Sequence, residues 1–303
     1  MMLKGSAYAG AIGAAALWGG NFVAVRLALD HFDPYLLTAL RFSIIAMLVP
    51  FVGWPRVPAR TLLTYTLGSG IGQYLLSTLA IDFGLSPGLA ALLIQFQVFI
   101  SLALSFLMLG ESVRTTTIVG SALGVVGLIG VLATGGSKAP LVASSICLLS
   151  AAGWAIANMT LKQTSERVIR LQCASALICL PAVWVARALA RPAAPAVGEA
   201  LTQASLAGWL AVAYVAIASF ALAQILWGRA IASIGLASTS PIALLIPVFG
   251  VALAALVLGE HLNLQVLTSA AIVLVGVGVH AVPMALNRAP VARDGIVLRR
   301  RLD

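Results

Sequence analysis

The sequence predicts an all-α membrane protein of ten transmembrane helices, arranged as two inverted five-helix repeats with both termini cytoplasmic. Three observations lead there. Of the 303 residues, 61% are hydrophobic and only 9% are charged, whereas soluble domains carry roughly 45–50% apolar and about 25% charged residues. Apolar stretches of spanning length recur ten times, separated by proline, glycine and charge. Short patterns from the first half return in the second in the same order.

A helix needs about 20 apolar residues to cross a ~30 Å hydrocarbon core, so ten crossings take roughly 200 residues and leave short connections. That excludes a separate soluble domain. Uninterrupted apolar runs also exclude a transmembrane β-barrel, whose strands alternate apolar and polar residues. The formal charge of +9 belongs to orientation and to contact with the lipid bilayer, and no nucleic-acid partner is expected. Cys147, Cys173 and Cys179 lie in apolar runs without CxxC or Cys/His spacing, so they read as small core residues.

The first stretch, Ala7–Leu29, follows Lys4 and has the basic start and alanine-rich run of a signal peptide. It continues long enough to span, and is kept as a mature helix. Tyr35–Trp54 follows Asp33-Pro34; Leu62–Gly84 ends at glycine; Pro87–Leu109 starts at proline and ends before Gly110-Glu111; Val113–Ala133 closes the first half. The second half reads Pro140–Leu161, Val168–Ala190, Ser205–Trp227, Ala237–Leu258 and Asn263–Met284. Residues 191–199, rich in proline and alanine, read as a loop. The expected organisation is a first repeat over 1–135, a second over 136–287 and a basic cytoplasmic tail over 288–303.

Orientation follows from Lys and Arg, which collect on cytoplasmic loops. With cytoplasmic termini, thirteen fall inside (Lys4, Arg56, Arg60, Arg114, Lys162, Arg167, Arg170, Arg229, Arg288, Arg293, Arg299, Arg300, Arg301) and three outside (Lys138, Arg187, Arg191). Arg26 and Arg41 remain within spans and are expected near the outer face.

Leu107-Met-Leu-Gly110-Glu111 returns as Leu256-Val-Leu-Gly259-Glu260, and at the same offset Gly127 falls on Gly276. Ala91-Leu-Leu-Ile94 returns as Ala243-Leu-Leu-Ile246, each upstream of a Val-Phe pair; Trp18 and Arg26 are spaced like Trp154 and Lys162. A repeat of five spans is odd, so the second copy enters from the opposite side. Inverted halves favour alternating access around a midplane site.

With ten spans in two copies, Leu-x-Leu-Gly-Glu closing the fourth and ninth, Trp18-Gly-Gly-Asn21 in the first and Arg41-Phe42 in the second, the chain resembles the drug/metabolite transporter superfamily, EamA type. The likeness covers nearly the whole chain. Within that superfamily it is similar to the YddG-type exporters of aromatic amino acids. The resemblance implies export of a small molecule across the inner membrane, with aromatic and other apolar amino acids as the substrates. One departure is visible: such proteins commonly carry a proline before the Val-Phe pair of the fourth span, where this chain has Gln97, while Pro247 stands in the ninth.

The residues that could carry a site are polar or amphipathic ones at depth. Trp18 lies about 17 Å from the start of its span at ~1.5 Å per residue, half a bilayer in, and Trp154 is comparably deep. Asn21 and Asn158 sit one turn from Trp18 and Trp154 on the same helix faces. Gln73, Tyr74, Ser77, Thr78, Gln95, Gln97, Tyr214 and Gln224 complete the set of candidate substrate contacts, with Ser101 and Ser240 beside them. Polar side chains inside spans should face protein or water. The alternative is that the amides bond neighbouring backbones and the indoles fill core.

Of nine acids only Asp82 falls within a span, near its outer end. The midplane therefore reads as neutral, which disfavours pumps for cationic drugs and carriers of sugar phosphates, and weakens any expectation of strong proton coupling. Arg26, expected to pair with Asp30 or Asp82, Arg41 and Asp82 are read as outer ion pairs or a gate. Pro247 is read as a kink, and Glu111 and Glu260 as carboxylates at helix ends. No His, Cys, Asp or Glu cluster suggests catalysis, a cofactor or a metal. The Gly68-Ser-Gly-Ile-Gly72 string is small-residue helix packing. The functional expectation is a transporter of neutral or zwitterionic metabolites, working as a monomer or, alternatively, a homodimer. A lipid or lipid-linked-sugar flippase, or an exporter of another metabolite or drug, is the competing reading.

Overall fold

Helix boundaries fall where the backbone finds side-chain partners or glycine. Asp33 caps the helix begun by Pro34, accepting from the N–H groups of Tyr35 (3.1 Å) and Leu36 (3.0 Å), and Ser86 caps the one begun by Pro87. Proline suits a first helical turn because its missing N–H would be unpaired there anyway. Gly84 and Gly259 end helices in the left-handed conformation, with φ of 95° and 67°, where an L side chain would be strained.

The computed structural model describes residues 2–109, 115–133, 141–234, 242–243, 245–260 and 264–286. All regular structure among them is helical. The helices are α1 (Met2–Leu29), α2 (Pro34–Ala46), α3 (Val49–Val52), α4 (Ala59–Tyr65), α5 (Leu76–Asp82), α6 (Pro87–Leu93), α7 (Gln97–Leu109), α8 (Thr115–Ala133), α9 (Leu141–Lys162), α10 (Val168–Ala190), α11 (Val197–Gln203), α12 (Leu206–Ala213), α13 (Ala223–Ile234), α14 (Leu245–Leu258) and α15 (Leu264–Leu286). Among the described residues six stretches are long and apolar enough to cross a membrane: Gly5–Leu29, Pro34–Val52, Pro87–Met108, Leu141–Leu161, Val168–Ala190 and Leu206–Ile234.

Several expected spans are not uniform rods. The third runs α4, a π-helical segment (Thr66–Leu75) and α5; the eighth runs α12, a second π segment (Tyr214–Leu222) and α13; the fourth is broken by a 3₁₀ turn (Ile94–Phe96) between α6 and α7. A π segment widens the helix and leaves carbonyls for other donors. Ser150 of α9 donates to the Gln73 carbonyl at 2.8 Å. The loop expected over 191–199 is in part helical, because α11 begins at Val197.

Packing joins α8 to α15, α1 to α12, α13 and α14, α2 to α10, α9 to α5, α7 and the first π segment, and α6 to α14. Lipid is as apolar as leucine, so helices associate through close contact and hydrogen bonds rather than exclusion from water. Small residues provide that contact. A Cβ on Gly153 would lie 2.5 Å from Gly72 Cα and 2.8 Å from the Gly68 carbonyl oxygen; one on Gly19 would lie 2.7 Å from the Ile246 carbonyl oxygen. On α8 and α15 the contacts are reciprocal. A Cβ on Gly127 would lie 2.8 Å from Val273 N, and one on Gly276 would lie 2.8 Å from Gly124 N. The glycine-rich string at 68–72 is helix packing, as the sequence indicates.

Gly153→Ala is expected to destabilise by about 1–3 kcal/mol, since backbone rather than a flexible side chain must yield. Gly198→Ala, whose added Cβ meets nothing within 4 Å, should be neutral or slightly stabilising. Thermal unfolding of the two variants in detergent checks the difference.

Candidate functional site

The helices surround a cavity of about 660 Å³, lined by residues from α1, α2, α4, α5, α7, α9, α10, α13, α14, the 3₁₀ turn and both π segments. Ten of the twelve expected substrate contacts line it: Trp18, Asn21, Gln73, Tyr74, Ser77, Gln95, Gln97, Trp154, Asn158 and Gln224. The expected pairing of an indole with an amide on α1 and α9 is therefore found facing one space. Trp18 leans on Trp227 with ring centroids 5.2 Å apart.

Two of the expected contacts lie elsewhere. Thr78 donates back to the Tyr74 carbonyl (2.9 Å), and Tyr214 donates to the Leu17 carbonyl (3.1 Å) across to α1. Both hydroxyls serve backbone groups inside the membrane, where water cannot. Ser101 also does not line the cavity. Ser240 and Glu111 lie outside the described residues.

The amides do two jobs. Asn158 donates to Gln97 Oε1 at 3.0 Å, tying α9 to α7, and Ser219 donates to Asn21 Oδ1 at 3.1 Å, tying the second π segment to α1. Each bond leaves amide groups of the pair free for a ligand. Gln95, only 3% exposed, sits on the 3₁₀ turn.

Arg41 overturns two expectations. It does not reach the outer face: it is 4% exposed and lines the cavity, with its guanidinium carbon 4.2 Å from the centre of the Tyr74 ring. The cavity is accordingly not neutral, and carries one fixed positive charge.

Tyr65, Gln172, Ser219 and Trp227 also line the cavity and were not singled out from sequence. Trp227 lies near the end of its expected span, where an interfacial indole is the ordinary reading. Gln172 lies a turn from the basic start of α10.

The remaining charges gather at the two ends. At one, Arg26 pairs with Asp30 (2.6 Å) rather than Asp82, Arg187 Nε meets Asp33 at 2.7 Å, and Arg191 pairs with Asp82. Glu260 lies at this end, with Oε2 over Gly88; burial pushes its carboxyl above the ordinary range, against the pull of the Ser86 hydroxyl and Gly88 N–H. Pro247 is the third residue of α14 as described, with residues 235–241 and 244 before it outside the described residues. At the other end Glu166 accepts from the N–H groups of Arg56 (2.5 Å) and Arg167 (2.8 Å), which hold its carboxyl below the ordinary range. The cavity lining reaches Leu161, Val168 and Ile231 beside this Glu166 end, and includes none of the ion-paired residues of the Asp33 end.

A polytopic helical bundle with an aromatic and amide-lined central cavity is the form of a small-molecule membrane transporter. The chain matches the EamA-like transporter family over residues 5–133 and 141–281, and belongs to it. It is a transporter and not an enzyme, a multi-pass protein of the cell (inner) membrane that handles a small metabolite. It is 31% identical to the "Probable amino-acid metabolite efflux pump" of Salmonella typhimurium, over 90% of this chain and 93% of that one. Its identity to the Escherichia coli protein of the same description is 28%, covering 90% and 94%. A "Probable terminal-alkyne amino-acid exporter" of Streptantibioticus cattleyicolor is 25% identical, covering 91% of each. A solved structure 20% identical, covering 92% of this chain and 98% of its own, superposes with a TM-score of 0.60 and shares the fold.

Asp33 is both helix cap and ion-pair partner, so its two variants separate the roles. Asp33→Asn keeps the cap and should lose only the pair; Asp33→Ala loses both and should cost on the order of 2–3 kcal/mol in total. Melting curves of the two variants measure the difference.

Proposed function

We propose that the protein exports zwitterionic amino acids, aromatic and other large apolar ones foremost, by alternating access. The observation that carries this is the cavity itself: Trp18, Trp154 and Trp227 offer apolar and π surface, and Asn21, Asn158, Gln73 and Gln97 offer amides beside it. Amides hold charged ammonium and carboxylate groups without themselves adding an unpaired buried charge. Indoles add ~0.5–1.5 kcal/mol per aromatic contact beyond burial. The descriptions of the relatives as amino-acid efflux proteins support the direction and the class.

The mechanism is two inverted five-helix halves rocking around that cavity, ten spans in all, with cytoplasmic termini. Reciprocal contacts support this reading: Gly127 meets Val273 as Gly276 meets Gly124, each pair related by the sequence offset of the repeat. The π segments support it too, since they fall in the third and eighth spans, which correspond. The positive-inside rule puts the Glu166 end in the cytoplasm. The cavity then faces inward, with the Asp33–Arg187 and Asp82–Arg191 pairs closing the outer side. Among the described residues the lining includes no Asp, Glu or His, which supports transport without strong proton coupling.

The test is uptake of labelled tryptophan, phenylalanine, threonine and a drug cation into liposomes, with and without a pH gradient. Saturable aromatic flux without a gradient is expected; no amino-acid flux overturns the reading, and flux that requires the gradient overturns the uncoupled mechanism. Trp154→Ala should raise the half-saturation concentration for tryptophan about 3- to 10-fold. Unchanged transport by the Trp18→Ala/Trp154→Ala double variant would remove the indoles from the site.

A further inference from the structure

Among the described residues Arg41 is the one charge in the cavity lining, and no described carboxylate is paired with it. Its side chain is 4% exposed, and its Nε is buried without a hydrogen-bond partner. The described carboxylates are engaged elsewhere: Asp30 with Arg26, Asp33 with Arg187, Asp82 with Arg191, Glu166 with Arg170, Glu199 with Gln203 and Glu260 beside Ser86 and Gly88. A guanidinium does not discharge by losing its proton, so the charge stays. The Tyr74 ring beneath it supplies a cation–π contact on one face, which leaves Nε without a partner.

A second unanswered group stands nearby. Gln172 of α10 is 8% exposed, lines the same cavity, and its Oε1 is buried without a partner. The Tyr74 phenol touches both neighbours, the Arg41 charge and the Gln172 side chain, and α2 packs on α10. One wall of the cavity thus carries a permanent cationic donor and a free acceptor side by side. Buried polar groups are ordinarily paired; two complementary side chains that line one cavity, each with an unpaired polar atom, define a ligand with the opposite pair.

We propose that Arg41 binds the carboxylate of the transported molecule and Gln172 accepts from its ammonium group, so that the protein selects free α-amino acids over their esters and amines. This rests on the amino-acid reading above and deepens it. The planar guanidinium fork fits a carboxylate, and a charge-assisted bond there is about twice as strong as a neutral one. A permanent positive charge at this wall also repels cations that lack a carboxylate, which sets the cavity against amine drugs.

Binding is read by thermal stabilisation of the purified protein and, separately, by competition against labelled phenylalanine flux in liposomes. The probes are phenylalanine, its methyl ester, phenethylamine and 3-phenylpropionate. In the wild type the ester and phenethylamine should bind about 30-fold more weakly than phenylalanine, as expected for a buried charge pair lost on one side. Arg41→Gln should weaken phenylalanine by a similar factor and leave the ester and phenethylamine unchanged or tighter; a merely structural arginine would weaken all ligands alike. Gln172→Leu should weaken phenylalanine and spare 3-phenylpropionate. Ester binding as tight as phenylalanine in the wild type, or no carboxylate-dependent stabilisation at all, overturns the proposal. The wild-type comparison decides the matter if Arg41→Gln does not fold. Absence of amino-acid flux counts against the functional reading; flux without preference for the carboxylate counts against this inference alone.

Discussion

Close backbone contact between helices is the constraint on which the rest depends. Within a bilayer, helices gain little by hiding apolar side chains from one another, so what holds them is van der Waals contact at short range. Gly153 against Gly68 and Gly72, Gly19 against Ile246 and Gly250, and Gly276 against Gly120 and Gly124 each leave less than 3 Å for a would-be Cβ. These contacts pin α9 to the third span, α1 to α14 and α15 to α8. Helices held that tightly at a few points must diverge where bulkier residues follow, and the cavity occupies the divergence between α1, α9 and the two π segments.

The π segments follow from the same constraint. An open cavity beside a helix removes neighbours that would otherwise satisfy stray polar groups, and a widened helix produces stray carbonyls of its own. The structure meets this with hydroxyls: Ser150 of α9 on the Gln73 carbonyl, and Ser77 and Thr78 of the same span on the Tyr74 carbonyl, while Tyr214 of the second π segment bonds the Leu17 carbonyl of α1. Several polar residues within the spans thus serve the backbone, while the amides and Arg41 face the cavity.

That division explains what could be read from the sequence. The spanning stretches, the small-residue packing and the depth of Trp18, Asn21, Trp154 and Asn158 follow from length, spacing and helical periodicity, all local quantities. Which face a residue presents to a distant helix is not local. Arg41 was placed by its distance from the end of its span, but burial depends on Tyr74, which the chain brings over it from another helix. Thr78 and Tyr214 look identical to lining residues until their backbone acceptors are known. The Asp82–Arg191 pair joins residues 109 positions apart, beyond any spacing argument. The π segments leave no signature, because their apolar residues would serve an α-helix equally well.

The polar wall of the cavity also bears on how alternating access can work. Arg41 and Gln172 stand on α2 and α10, which are bound to each other at both ends: Arg187 of α10 holds Asp33 at the start of α2, and Arg170 Nε donates to the Val52 carbonyl of α3 at 2.7 Å beyond its other end. The two helices belong to different halves, so rocking of the halves works on this seam: parting of the Asp33–Arg187 pair opens it from the outer side, while the Arg170–Val52 bond holds its other end as a hinge. A head group held between Arg41 and Gln172 bridges the same seam, which couples loading of that wall to the opening of the outer side. The aromatic side, carried by α1, α9 and α13, then sets the tolerance for different side chains.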